Sequence, residues 1–369
     1  MSSPLTSSPV LTRLRPLLPA LGFAVAAPAL HLVMRLAGIE YCLTQLTMAI
    51  YYAIVVTGLG LLMGYAGQVS LGHGAFFALG GYTSAVLTTH DFGKWQASLG
   101  WLRDVHVLVA RQDLYGSQIL TVTPWAACLA ALAVAVVAGC LIGYPALRLR
   151  GHYLTMATLG FGLIVAKLLV GTSFTGAADG INGVPEWRFL PGIIVSGKSA
   201  LRVENFYLAS ALLLAVLLLL RNTVVSRVGR ALKAIHDGEK AADAMGIDTA
   251  AYKLKVFLLS AALAATAGVF LTHYTAGIGP SEAGALKSIR YVALAAAGGM
   301  ANLWRVAAVS IALNYCSLRG WFGSYDNAVF GALLILIISL VPNGPLQPGG
   351  WLRRRFRARS TSSSQHGAA

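Results

Sequence analysis

Four stretches of this 369-residue chain place polar or ionisable side chains at spacings that could do chemistry. The first spans residues 221–255. There Gly229-Arg230-Ala231-Leu232-Lys233-Ala234-Ile235 precedes Glu239-Lys240-Ala241-Ala242-Asp243-Ala244-Met245-Gly246. Helix propensity is high across both runs, and Gly246 suits a helix end. Leu232, Ile235, Ala242 and Met245 recur at three or seven residues, which predicts a narrow apolar stripe. Arg230, Lys233, Glu239, Lys240 and Asp243 surround it. Such a stripe needs a membrane surface or a partner's groove to bury it. The second stretch, residues 64–74, is rich in glycine and carries Gln68, Ser70 and His73. Glycine lets helices approach closely or break, and a broken helix must line a cavity or be covered by protein. These three side chains are therefore candidates for a translocation path, with close packing as the alternative. The third stretch, Thr175 to Gly183, is dominated by turn residues. Thr175, Gly176, Asp179, Gly180 and Asn182 make it a candidate outer loop or gate, or a plain connection. The fourth is Arg290, a cation within an apolar run. Charge is expensive there, so Arg290 calls for a substrate carboxylate or a partner acid. Lys167, near the end of another apolar run, can snorkel instead.

None of this is catalytic chemistry. No acid is spaced to orient His73 toward Ser70, and no His-Glu-x-x-His or paired intramembrane carboxylate occurs. A Gly-x-x-x-x-Gly-Lys-Ser/Thr phosphate loop is also absent from the sequence, so the chain cannot hold ATP in that way. Cys42, Cys128, Cys140 and Cys316 lie in apolar runs without metal-ligand spacing and read as small hydrophobes. No metal site is expected. A proton-coupled mechanism would have little to work with, since the 13 acidic residues lie almost entirely between the apolar runs.

The elements that must position these groups are membrane spans. The chain is 57% hydrophobic and 11% charged, with a mean hydropathy of +0.69. A soluble domain carries about a quarter charged residues. Runs near the roughly 20-residue length of a membrane-crossing helix are expected at 17–36, 42–63, 70–89, 122–147, 153–170, 206–220, 256–276, about 283–300, 306–318 and 328–341. The fold expected is an all-α, polytopic bundle of about ten spans. Residues 1–16 form an N-terminal segment, 17–345 one membrane domain, and 346–369 a basic, Ser-rich, disordered tail. The net charge of +15 points to anionic lipid rather than nucleic acid, because the basic residues cluster between or beyond apolar runs. Placing the N-terminus inside puts Arg13, Arg15, Arg148, Arg150, Arg221, Arg227, Arg230, Lys233, Lys240, Arg305 and the basic tail in the cytoplasm. Both termini are then cytoplasmic, and residues 70–89 and 283–300 either cross or re-enter.

Glu239-x-Ala241-Ala242-x-x-x-Gly246 resembles the cytoplasmic Glu-Ala-Ala…Gly loop of ABC importer permeases. Residues 64–77, Gly64-Tyr65-Ala66-Gly67-Gln68-Val69-Ser70-Leu71-Gly72-His73-Gly74-Ala75-Phe76-Phe77, resemble a signature of the branched-chain amino-acid permeases of the LivM/LivH type. So do Leu147-Arg148-Leu149-Arg150-Gly151-x-Tyr153-Leu154, Thr158-Leu159-Gly160-Phe161-Gly162, Tyr252-Lys253-Leu254, Ser260-Ala261 and Gly298-Gly299, in order along the chain and on the LivM branch. The resemblance implies a bacterial inner-membrane permease with Gly-broken helices. It implies that Arg230, Glu239, Ala241, Ala242 and Gly246 belong to a coupling loop that sits in an ATPase cleft. It further implies a heterodimer with a related permease, two ATPase subunits carrying ATP and Mg2+, and an extracytoplasmic binding protein. Leucine, isoleucine and valine are the implied substrates, with urea, short amides or other amino acids as the alternative. The chain departs from the family's pattern at Ala177 or Ala178, where a second glycine is usual. It also has Arg290 in place of Glu, and Arg305-Val306 in place of Gly-Pro.

Overall fold

A 25-residue apolar run without proline builds the central helix, α2 (Cys42–Ala66), and nearly all of it is buried. Glycine at two positions lets neighbours come close: Gly58 lies against Ser260 and Leu263, and Gly60 against Val306. The computed structural model describes residues 18–92, 107–112, 118–148, 153–300 and 302–340. In order, the other helices are α1 (Leu18–Leu36), α3 (His73–Thr89), α4 (Pro124–Arg148), α5 (Tyr153–Gly171), α6 (Arg202–Val225), α7 (Arg227–Asp237), α8 (Glu239–Ala244), α9 (Thr249–Thr275), α10 (Ala285–Ala297), α11 (Leu303–Leu318) and α12 (Asp326–Leu340).

The tightest seam joins α3 to α9. A methyl group on Gly80 would run into the Ala265 backbone, and one on Gly268 into the Phe77 carbonyl. Apolar helices in lipid gain nothing from hiding one another's apolar surface, so close backbone approach through small residues is what holds such a pair. Around α2, α9 and α3 pack α11, α6, α4 and α10. By contrast α1 buries only Ala20 and Met34, and its one described side-chain hydrogen bond runs from His31 Nδ1 to the Tyr207 hydroxyl at 2.8 Å.

The bundle has two distinguishable ends. One carries α7 and α8. The other carries three two-stranded antiparallel sheets: β1 (Leu108–Gln112) with β2 (Gln118–Val122), β3 (Ile181–Asn182) with β6 (Gly277–Ile278), and β4 (Trp187–Leu190) with β5 (Ile193–Val195). An all-α reading overlooks these strand pairs because the strands are only two to five residues long.

Among the described residues six helices, α1, α2, α4, α5, α6 and α9, are long and apolar enough to cross a membrane. The other four expected spans fall on shorter helices. Helix α3 starts at His73 rather than residue 70, and α10 has only 13 residues. Helices α11 and α12 have 16 and 15. The span expected at 206–220 is longer, because α6 takes in Arg202, Glu204 and Arg221 at its ends. Residues 1–16, the tail 346–369 and residues 149–152 of the Arg-Leu-Arg-Gly motif lie outside the described residues.

Candidate functional site

The first break in the helical pattern forms where α2 stops. Gly67 takes a left-handed φ of +64°, and its N–H closes on the Leu62 carbonyl. Residues 67–72 then run without helix, held from the side by α5. Thr155 donates to the Val69 carbonyl at 2.9 Å, and Leu71 N–H donates to Thr158 Oγ1 at 3.1 Å. Helix α3 begins at His73, fully buried, whose Nδ1 meets Ser70 Oγ at 3.1 Å and whose Nε2 meets Ser260 Oγ at 2.7 Å. Ser70 and His73 are thus brought together. Ser70 and His73 are locked in a hydrogen-bonded set with Ser260 on α9, while Gln68 is buried with its Oε1 unpartnered.

The second break mirrors the first from the opposite end. After β6 a short 3-10 turn, Pro280–Ala283, leads through Gly284 into α10. The two half-helices start side by side: Gly74 N–H donates to Ser288 Oγ at 3.0 Å. Ser260 lies near the midpoint of α9 and Tyr52 near that of α2, so the junction sits halfway along the bundle. From there α3 runs to the sheet end, where Ser84 meets His273, and His273 meets the Pro185 carbonyl. Helix α10 runs the other way, to Gly298 against Val306. Both segments therefore cross the bundle instead of re-entering. Each helix starts with glycine at the cap position and no side-chain cap, so two positive helix ends converge at the middle.

Arg290 on α10 is not a free cation. Its Nη1 pairs with Asp326 at 2.7 Å, and its guanidinium lies 4.0 Å from the Phe330 ring centre. Ser317 also donates to Asp326 at 2.8 Å. The acid that Arg290 requires is therefore in the same chain. The sequence reading missed a neighbouring set. Lys287 Nζ pairs with both Glu282 oxygens at 2.8 and 3.0 Å, and the Tyr52 hydroxyl donates to Glu282 at 3.1 Å. A Glu and a Lys five apart across Gly284 was the available signal.

At the α7–α8 end, Ser226 caps α7 by accepting from Val228 N–H. Gly238, extended at φ −174° and ψ 96°, separates α7 from α8. Glu239 pairs with Lys253 of α9 at 2.6 Å, and Thr249 donates to Asp243 at 2.8 Å. Gly246 is left-handed at φ +81°, and Ile247 N–H reaches back to the Ala242 carbonyl, which closes the helix end. The expected stripe is divided. Leu232, Ile235 and Ala242 are buried within the chain itself, whereas Met245 is 83% exposed. Arg230 and Ala241 are also exposed. His236 lies against Gly67 and Lys233 stands 6.0 Å from the Tyr65 ring centre, so this segment touches the first break directly.

At the sheet end, Thr175 Oγ1 donates to the Leu169 and Thr172 carbonyls. Gly176 and Gly180 have φ of +77° and +71°, and Asn182 pairs with Gly277. Asp179 N–H donates to the Gly176 carbonyl. Ala177 sits at φ +48°, a conformation that suits glycine. Next to this loop, a cavity of about 850 Å3 opens between the β1–β2 and β4–β5 hairpins, with Arg111, Arg188, Glu186 and Lys198 among its walls. Lys198, bonded at 2.7 Å, holds the Glu186 carboxyl below the usual carboxylate range, and Ser196 adds a second bond.

Apolar helices around two opposed, uncapped half-helices define a multi-pass membrane transport protein. The chain belongs to the family described as branched-chain amino acid transport system / permease component, which matches residues 41–338. It is 30% identical to the high-affinity branched-chain amino acid transport system permease protein LivM of Salmonella typhimurium, over 81% of this chain and 68% of that protein. It is 24% identical to the permease protein LivH of Escherichia coli K12, over 81% and 92%. It is 23% identical to BraD of Pseudomonas aeruginosa, over 84% and 95%. No solved structure matches it.

Proposed function

We propose that the chain is one of two related permease subunits of a bacterial inner-membrane ABC importer for leucine, isoleucine and valine. In this reading the α7–α8 end faces the cytoplasm and docks in an ATPase subunit. The sheet end receives an extracytoplasmic binding protein, with the Thr175–Asn182 loop at its mouth. ATP and Mg2+ belong to two partner ATPases. The observation that carries the reading is the contact of α7 with the helix break: His236 and Lys233 reach Gly67 and Tyr65. Movement of a docked α7–α8 segment is thereby conveyed to the loop that opens into His73 and the junction. The family membership and the LivM and LivH relatives support the substrate and the paired assembly.

The test is reconstitution of the chain with its co-purified partners in proteoliposomes. Uptake of labelled leucine should require internal or external ATP on the ATPase side and loaded binding protein on the other. Uptake driven by a proton or sodium gradient without ATP would refute the proposal.

A further inference from the structure

Glu282 and Lys287 form an ion pair halfway along the bundle that is not sealed inside it. Their side chains are 16% and 27% exposed, and Leu286 and Ile289 beside them on α10 are open as well. Partly exposed charges at such a depth cannot face hydrocarbon without a large penalty. The face must therefore meet water or protein. Next to the pair lies a small cavity of about 20 Å3, lined by Tyr52, Lys287, Arg290, Tyr291, Asn314 and Leu318. The Tyr291 hydroxyl is buried, at 1% residue exposure, and has no partner. Tyr291 both lines this void and carries an unmet hydroxyl, and a void that holds one water-sized atom can receive a ligand oxygen.

We propose that Glu282, Lys287 and Tyr52 form a transit site for the zwitterionic head of an α-amino acid. This rests on the importer reading above. Such a head carries an ammonium and a carboxylate on one carbon, a separation comparable with the 2.8 Å between Lys287 Nζ and Glu282 Oε1. On arrival, the single protein pair opens into two: Glu282 takes the ammonium and Lys287 takes the carboxylate. Tyr52, within 3.1 Å of Glu282 and 3.2 Å of Lys287, stays bonded to one side. The converging starts of α3 and α10 add positive potential for the carboxylate. Charge is conserved throughout, because a neutral pair accepts a neutral zwitterion. A net cation or anion would leave one charge unmatched. Re-forming the original pair expels the cargo, as passage requires binding that is weak enough to leave.

The test uses the assembled transporter in proteoliposomes, with leucine uptake as the readout. The double variant Glu282→Gln/Lys287→Met removes both charges and so leaves no orphan ion, which is often tolerated by a fold. With the complex still assembled and monodisperse, uptake should fall by roughly tenfold or more. Unchanged uptake would make the pair purely structural and overturn the site. If the double variant does not assemble, Tyr52→Phe decides: a loss of about fivefold, the worth of one hydrogen bond, supports the site, and unchanged uptake overturns it. Absence of α-amino acid uptake by the unaltered complex would instead overturn the importer reading beneath it.

Discussion

The Glu239–Lys253 pair gives the sharpest test of how α8 is held. The perturbation is a charge series at Glu239: Gln, then Lys, then the exchange Glu239→Lys/Lys253→Glu. Lys253 is 13% exposed and Glu239 38%, at a separation of 2.6 Å. Exposed pairs contribute about 0–1 kcal/mol, and breaking a buried pair costs about 3–5 kcal/mol. A mostly buried Lys facing a half-open Glu falls between, at about 1–2 kcal/mol. Helix α8 has six residues and no standing stability of its own. Its anchors are this pair, the Thr249–Asp243 bond and buried Ala242. At about 1.4 kcal/mol per decade, Glu239→Gln should raise the undocked population of α8 roughly tenfold, and Glu239→Lys more. Two assays read this: hydrogen exchange over residues 239–246, and ATP hydrolysis stimulated by loaded binding protein in the assembled complex. The exchange variant restores the pair with reversed polarity, and should recover stimulated hydrolysis to within about threefold of the parent. Unchanged transport in Glu239→Lys would refute the coupling role. Restored protection without restored hydrolysis would refute the claim that Glu239 works through Lys253.

Two further outcomes follow from the sheet end. Ala177→Gly should stabilise the chain by up to about 1 kcal/mol, since Ala177 holds a φ of +48° that costs an L-residue about that much; a lower melting temperature in detergent would contradict it. Glu186 has its folded pKa depressed by Lys198, so its contribution is present above an unfolded value of about 4.3 and is lost as pH falls through the lower, folded one. Emission from the nearby Trp125 and Trp187 should therefore change below about pH 4.3, and Glu186→Gln should flatten that change; an identical pH profile in the variant would remove Glu186 as its source.

The long apolar helices are legible in the sequence because lipid imposes one rule on all of them: about 20 apolar residues with every backbone group satisfied inside the segment. The short elements answer to distant residues instead. Helix α3 starts at His73 because Thr155 and Thr158 hold the preceding loop and Ser260 holds the imidazole. No local pattern carries that. Arg290 looks like an unpaired intramembrane cation until Asp326, 36 residues on, comes beside it. Glu282 and Lys287 straddle the start of the span expected at about 283–300, and their pairing depends on the 3-10 turn that leads into α10. The stripe from Leu232 to Met245 fails for a local reason. Gly238 breaks the run, so α7 and α8 orient independently and Met245 turns away from the face that buries Ala242. Ala177 is the reverse case: of the two alanines where the family's glycine is usual, Ala177 holds a left-handed conformation.

Helices α1 and α2 stand next to each other in the chain and will age differently. Nearly every position of α2 touches another helix, and its glycines are closed in by Ser260, Leu263 and Val306. Helix α1 buries two side chains, and the family's matched region begins after it, at residue 41. Its apolar residues answer mainly to the bilayer, which asks for hydrophobicity and length but not for shape. Leucine, valine, alanine and phenylalanine should therefore exchange freely along α1 over evolutionary drift, while the same exchanges in α2 are rejected. A library that shuffles the two helices separately would find tolerance concentrated in the first, and that is also the element on which a fused reporter would disturb the transporter least.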